Sequence, residues 1–209
     1  VSRIPNPSVE AIRSQVIQAD DLNGFLEGLE LDGMVVLHGS HLCHEVAELL
    51  CVKAGSRDGS AILVDAGNTF NPLRASELAA GFGLGTELAL ERIKVNRVFT
   101  CFELSTLITR DLAKALTAYN PKLVAITGFI EPYCEREVQP GEAKLLFNRS
   151  LKILAQLSRG LPIVITHALD GGKTQRSILF WRILTNYADA LLRIKKEGRL
   201  LKIALQRRV

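Results

Sequence analysis

The chain has 209 residues, 47% of them hydrophobic and 23% charged, with a net charge of +4. This is globular composition with enough chain to bury a real core, and no apolar run approaches the roughly 18 residues that cross a bilayer. The four cysteines (Cys43, Cys51, Cys101, Cys134) form no CxxC pair and the N-terminal VSRIPNPS has no apolar centre, so reduced thiols and a cytoplasmic location are expected rather than a secreted disulfide scaffold or a signal peptide.

Residues 1–30, with Pro5 and Pro7 followed by a short helical pattern, read as an N-terminal arm, and 31–209 as the core domain. Short apolar runs predict strands over 34–38, 61–65, 93–99, 123–127 and 163–167. Between them, helical spacing predicts helices near 42–54, 73–82, 103–119, 142–159 and 175–188. Within 103–119, Leu104, Leu107, Ile108, Leu112 and Leu116 trace one face, a core stripe. Strands alternating with amphipathic helices imply parallel βαβ units. The last segment, ALLRIKKEGRLLKIAL, reads instead as strand, glycine turn, strand: an antiparallel hairpin added to a parallel sheet. That end is also the basic part of the chain. Residues 193–209 hold seven basic side chains and one acid, Glu197, so they carry +6 and leave −2 for residues 1–192. The hairpin reads either as a solvated edge guarded by lysines or as a phosphate-facing patch.

One stretch has the outline of a phosphate loop. In GMVVLHGSHLCHEVAELL (33–50) an apolar run ends at Gly39 and a helical pattern follows, the setting of GxxxxGK[ST]. Counting from Gly39, however, His44 stands for the second glycine, Glu45 for the lysine and Val46 for the hydroxyl residue. A second candidate, GGKT ending at Thr174, has His167 where the first glycine belongs, and reads as a glycine-rich turn.

ILVDAGNTFNPLRASELAAGFGL (62–84) resembles the segment after the second core strand of RadA-type recombinases, relatives of RecA, with Asp65, Thr69, Phe70, Pro72, Arg74 and the closing Phe82-Gly83-Leu84 in place. RIKVNRVFTCFELSTLITRDLAKAL, PKLVAIT and LPIVITH follow in the family's order, and the similarity spans about residues 20–209. The resemblance implies a RecA-like P-loop NTPase core: an α/β fold with a mainly parallel twisted sheet flanked by helices and a C-terminal antiparallel hairpin. It also implies what is missing. Thr127 occupies the Walker B aspartate position, Gly67 that of the glutamate orienting the attacking water, and His167-Ala168 that of an Asn-Gln pair. Only Arg74 matches, where relatives stack an arginine on adenine. An acid at Glu45 repels a triphosphate, and without clamp, metal carboxylate or base the family's ATP hydrolysis is not expected. No cofactor is expected, with ATP binding left open.

His38, His41, Cys43 and His44 fall within seven residues, and the family's strand order brings His167 to the same edge. Imidazole and thiolate are zinc ligands, but no familiar ligand spacing occurs, so no metal is expected and a site of these five residues remains an alternative. The family's DNA loops correspond to 131–141 and 169–176. The first offers Arg136 among Glu131, Glu135 and Glu137, the second Lys173 and Arg176, and the hairpin adds Arg193, Lys195, Lys196 and Arg199. Tyr133 reads as packing or as a base-stacking ring. Three functions follow. The first is a catalytically inactive recombinase paralogue in DNA recombination or repair, binding a RecA-type recombinase or paralogue, single- or double-stranded DNA, or further copies of itself. The second is a nucleotide or ligand sensor without hydrolysis. The third is an unconventional metal-dependent enzyme using the histidines and Cys43. No membrane partner is expected.

Overall fold

The structure is a computed structural model and describes residues 15–18, 31–56, 59–81, 86–169, 174–198 and 200–208. In chain order the elements are β1 (Gln15–Gln18), β2 (Met34–Gly39), α1 (Leu42–Ser56), β3 (Ala61–Asp65), α2 (Pro72–Gly81), α3 (Thr86–Arg92), β4 (Ile93–Arg97) and α4 (Cys101–Thr106). A π-helical turn (Leu107–Asp111) joins α4 to α5 (Leu112–Tyr119); then come β5 (Leu123–Thr127), a 3-10 turn (Glu131–Cys134), α6 (Pro140–Leu157), β6 (Ile163–Ala168), α7 (Gln175–Tyr187), β7 (Ala190–Glu197) and β8 (Leu200–Arg208).

The strands form one eight-stranded sheet in the order β1-β8-β7-β2-β6-β5-β3-β4. β7 through β4 run parallel, while β8 is antiparallel to β7 and β1 antiparallel to β8. The implied architecture is therefore present: a mainly parallel sheet flanked by helices, closed by a C-terminal antiparallel hairpin. Every residue of β2, β3 and β5 is buried, because a central parallel strand is covered on both faces. Alternation divides these residues between two cores. Val35, Leu37, Leu63 and Val164 pack under α1. Met34, Val36, Ile126 and Ile165 pack with Phe129, Tyr133, Phe147 and Phe180 on the side of α4 to α7.

Local chemistry sets several boundaries. Thr100 and Glu103 form a reciprocal capping box that starts α4, two residues before the expected start. Asn120, in the left-handed region at φ 43°, ends α5. The expected strand 93–99 is shorter, ending at Arg97, although Val98 N–H still donates to the Asp65 carbonyl at 3.1 Å. β4 is the sheet's edge, and four of its five residues are exposed. β1 lies inside the segment read as an arm, where no strand was expected; the rest of 1–30 lies outside the described residues. α3 was likewise not expected. Among the described residues no helix is long and apolar enough to cross a membrane, and the four cysteines form no disulfide.

Candidate functional site

In an open α/β sheet, ligands gather where loops leave the carboxyl ends of the parallel strands. The loop after β2 is only Ser40 and His41, because α1 begins at Leu42. Gly39 has φ +121°, and a Cβ there would run into the Ile194 carbonyl of β7. Its own carbonyl accepts from Leu169 N–H at 2.7 Å, and Ser40 N–H donates to Ile194 O at 2.9 Å. Cys43 and His44 already donate backwards to Ser40 O and His41 O. A phosphate loop needs several consecutive N–H groups turned inward; here the helix has absorbed that segment.

α1 brings Glu45 and Glu48 one turn apart, and both meet Arg74 from α2. Arg74 Nε donates to Glu48 Oε2 at 3.0 Å and Nη2 to Oε1 at 2.7 Å, while Nη1 lies 3.4 Å from Glu45 Oε1. Nη2 also donates to Thr69 O at 3.2 Å. The Glu48 side chain is fully buried. Burial pushes its carboxyl up to about 7 against the lowering pull of Arg74. Arg74 is thus engaged by two carboxylates.

The loops after β3 and β5 close on each other. Asp65, with its side chain fully buried, accepts from Thr69 N–H at 2.9 Å, Phe70 N–H at 3.1 Å, the Thr127 hydroxyl at 2.9 Å and Arg97 Nε at 3.0 Å. Burial alone would raise the Asp65 carboxyl, but these hydrogen bonds outweigh it and hold the group below the usual carboxylate range. Thr127 therefore spends its hydroxyl on Asp65. At Gly67 an added Cβ would lie 3.2 Å from Gly128 Cα. Gly128, at φ +65°, itself presses on Gly67, and a Cβ there would strike the Gly67 backbone. The main chains of the two loops are therefore in direct contact here.

The histidines divide between the two faces. His44 Nδ1 shares a 2.6 Å hydrogen bond with Thr166 Oγ1, and its ring meets that of His41 edge-on with centroids 4.8 Å apart. Burial lowers the His44 pKa to about 4, so it is neutral at pH 7. On the other face Trp181 lies between His38, 4.8 Å away, and His167, 5.5 Å away. His167 Nδ1 also approaches Glu131 Oε1 at 3.3 Å. Among the described residues no three of His, Cys, Asp or Glu form a group that could hold a metal ion. Cys43 is fully buried.

Of the basic candidates, Lys173 and Arg199 lie outside the described residues. Arg136, Lys195 and Lys196 are exposed. Arg176 is turned inward, its Nη1 donating to Glu135 O at 2.6 Å and Val138 O at 3.1 Å, which ties the two expected DNA loops together. Thr174, from the GGKT turn, caps α7 by accepting from Ser177 N–H. Tyr133 is buried and its hydroxyl bonds Ser150 at 2.9 Å, so its ring packs in the core.

Glu48, Arg97, Gly128 and Gln206 belong to these networks and were not among the sequence candidates. Only Glu48 left a signal, an acid three residues after Glu45 inside the apolar VAELLCV. The family model described as Rad51 matches residues 30–170 of the chain, from the approach to β2 through the end of β6, the span that holds the loops after β2, β3 and β5 but not Thr174, Arg176 or the hairpin.

Proposed function

Because the chain belongs to the Rad51 family of RecA/RadA-type recombinases, we propose that it is a catalytically inactive paralogue that acts in DNA recombination or repair by binding a partner of its own fold, with any DNA contact confined to its basic hairpin. The observation that carries this reading is the Glu45–Arg74–Glu48 arrangement. Glu48 and Glu45 hold the N–H edge of the Arg74 guanidinium and fix it in place, and releasing it would leave Glu48 an uncompensated buried carboxylate, which is strongly destabilising. Mg·ATP does not fit the residues present: Glu45 repels it, α1 withholds the loop amides and Thr127 is bound to Asp65.

The partner surface is supported by the edge strand. β4 ends the sheet, and Val95, Phe99 and Phe102 are 40%, 62% and 45% exposed there. Beside them lies an open groove of about 420 Å³ lined by Asn96, Val98, Phe102 and Leu107. An unpaired edge with apolar side chains is a template for an added strand, so a RecA-type recombinase or paralogue presenting an extended apolar segment is the expected occupant. Arg97 ties this edge inward, to Asp65 Oδ2 at 3.0 Å and Phe70 O at 3.1 Å. The network that fills the old metal position therefore also fixes the edge, without any nucleotide.

The test is co-purification of the tagged chain from native extract, with and without Val95→Lys and Phe99→Ser together. Recovery of a RecA-type recombinase by the unaltered chain, lost in the double variant, supports the reading. Repeated absence of any such partner, or recovery that ignores the edge, counts against it. The sensor reading needs Arg74 free, and the metal reading needs a ligand cluster; neither finds support in the geometry.

A further inference from the structure

Among the described residues three buried side-chain polar atoms have no hydrogen-bond partner: His38 Nδ1, Ser40 Oγ and Arg193 Nε. Native structures leave few such atoms, and each one calls for a physical account. All three lie at one place. His38 on β2 and Arg193 on β7 are register partners on adjacent parallel strands, so their side chains leave the same face. Ser40 follows directly after β2 and is held to β7 through Ile194 O. His38 is 4% exposed and packs on Trp181 of α7. This is the face opposite to Arg74 and Glu48, and Arg193 belongs to the basic hairpin to which the proposed function confines any DNA contact, so a site here deepens that reading.

We propose that His38, Ser40 and Arg193 form a binding site for a phosphate oxyanion at the carboxyl edge of the sheet. An arginine Nε–H only donates, and a serine hydroxyl can do so. His38 completes the set through Gln206. The bulge between β7 and β8, where Leu191 pairs Arg207 and Leu192 pairs Leu205, leaves Gln206 as the extra residue, its Oε1 accepting from His38 Nε2 at 2.7 Å, so the third donor requires the amide to turn over. A glutamine amide can face the ring with oxygen or nitrogen. With nitrogen facing, Nε2 accepts and Nδ1–H donates, so a neutral His38 turns a third donor to the ligand. Burial keeps the imidazole neutral at pH 7, and the tautomer exchange needs no added proton.

The surroundings select an anion. Arg193 brings a cation whose Nε–H is unsatisfied, and beyond the last β2–β7 pair, Gly39 with Ile194, the hairpin continues as Lys195, Lys196 and Glu197, with Lys202 opposite Lys195. Glu131 lies 3.3 Å from Nδ1 of His167, whose ring stacks on the far side of Trp181. The same phosphate chemistry comes from two sources, free phosphate or a nucleic-acid backbone whose next phosphates follow the hairpin lysines.

The experiment uses the whole chain. The NMR resonance of Arg193 Nε–H is followed while inorganic phosphate is added. Separately, a fluorescein-labelled oligo-dT is titrated by anisotropy at about 50 and about 200 mM salt. Both are repeated for Ser40→Ala and Arg193→Gln, each with its melting midpoint. The site requires that the resonance shift saturably with at least one probe and that both variants bind that probe about five- to tenfold more weakly. Ser40→Ala should melt no lower than the unaltered chain, since an unpaired buried hydroxyl stabilises nothing. Loss confined to the oligonucleotide assigns a backbone phosphate, and loss confined to inorganic phosphate a free one. An unmoved resonance with unchanged binding of both probes overturns the site. So does a lower melting midpoint of Ser40→Ala with unchanged binding, which would make the hydroxyl a support of the fold.

Discussion

Glu48 and Asp65 are two buried carboxylates held by two arginines, and their proton equilibria pull in opposite directions. Glu48 holds its proton up to about pH 7 when folded against an ordinary value of 4.5. The native chain therefore carries more protons than the unfolded one between those values, and this group makes stability fall as pH rises through that window. Asp65 is depressed below its ordinary 3.8, so its contribution is present above 3.8 and is lost as pH falls through the folded value. Urea midpoints across pH 4.5 to 7.5 check the first effect: Glu48→Gln should flatten the decline toward neutral pH. Arg74→Ala strands Glu48 and should cost about 3 kcal/mol near pH 8, and less near pH 5 where the carboxyl takes a proton; equal losses at both would mean that Glu48 is not the partner that matters. At this scale the sequence was half legible. Glu45 announced a reversed charge by its place in a counted motif, whereas the pairing of Glu48 with Arg74 depends on how α1 meets α2, which spacing does not encode.

β2, β3, β5 and β6 could be read as strands because burial on both faces writes an unbroken apolar run. Elements whose existence depends on a neighbour could not. β1 is four residues, QVIQ, fixed only by pairing with β8, and the bulge that presents Gln206 comes from the register between β7 and β8. β4 lies between these cases, since its run IKVNR was visible while its position at the open edge was not. Val95→Lys with Phe99→Ser should change stability by less than about 0.5 kcal/mol per site, the usual cost at exposed positions, while abolishing recovery of the partner; unfolding of the double variant in circular dichroism would instead make the edge structural. The turn after β5 behaves differently. Gly128→Ala meets both a left-handed φ and the Gly67 backbone, and denaturant titration should record a loss of about 2–3 kcal/mol.

Across the whole molecule the fold is that of the recombinase family, and on the proposed reading the carboxyl edge of its sheet is occupied by the chain's own side chains. Arg74 is held by glutamates, Thr127 by Asp65, and the Gly67–Gly128 contact closes the space between the two loops. The pieces act together, so repairing one should not revive the rest. Glu45→Lys with Val46→Thr restores the lysine and the hydroxyl but leaves His44 in place of the second glycine and α1 starting at Leu42, and phosphate release from Mg·ATP should remain at the buffer rate. The most direct measurement is equilibrium binding of a fluorescent ATP analogue to the unaltered chain, with and without Mg²⁺. A pocket filled from within should give no saturable binding at nucleotide concentrations up to about 1 mM. Mg²⁺-dependent binding at micromolar concentration, competed by ATP, would contradict the account.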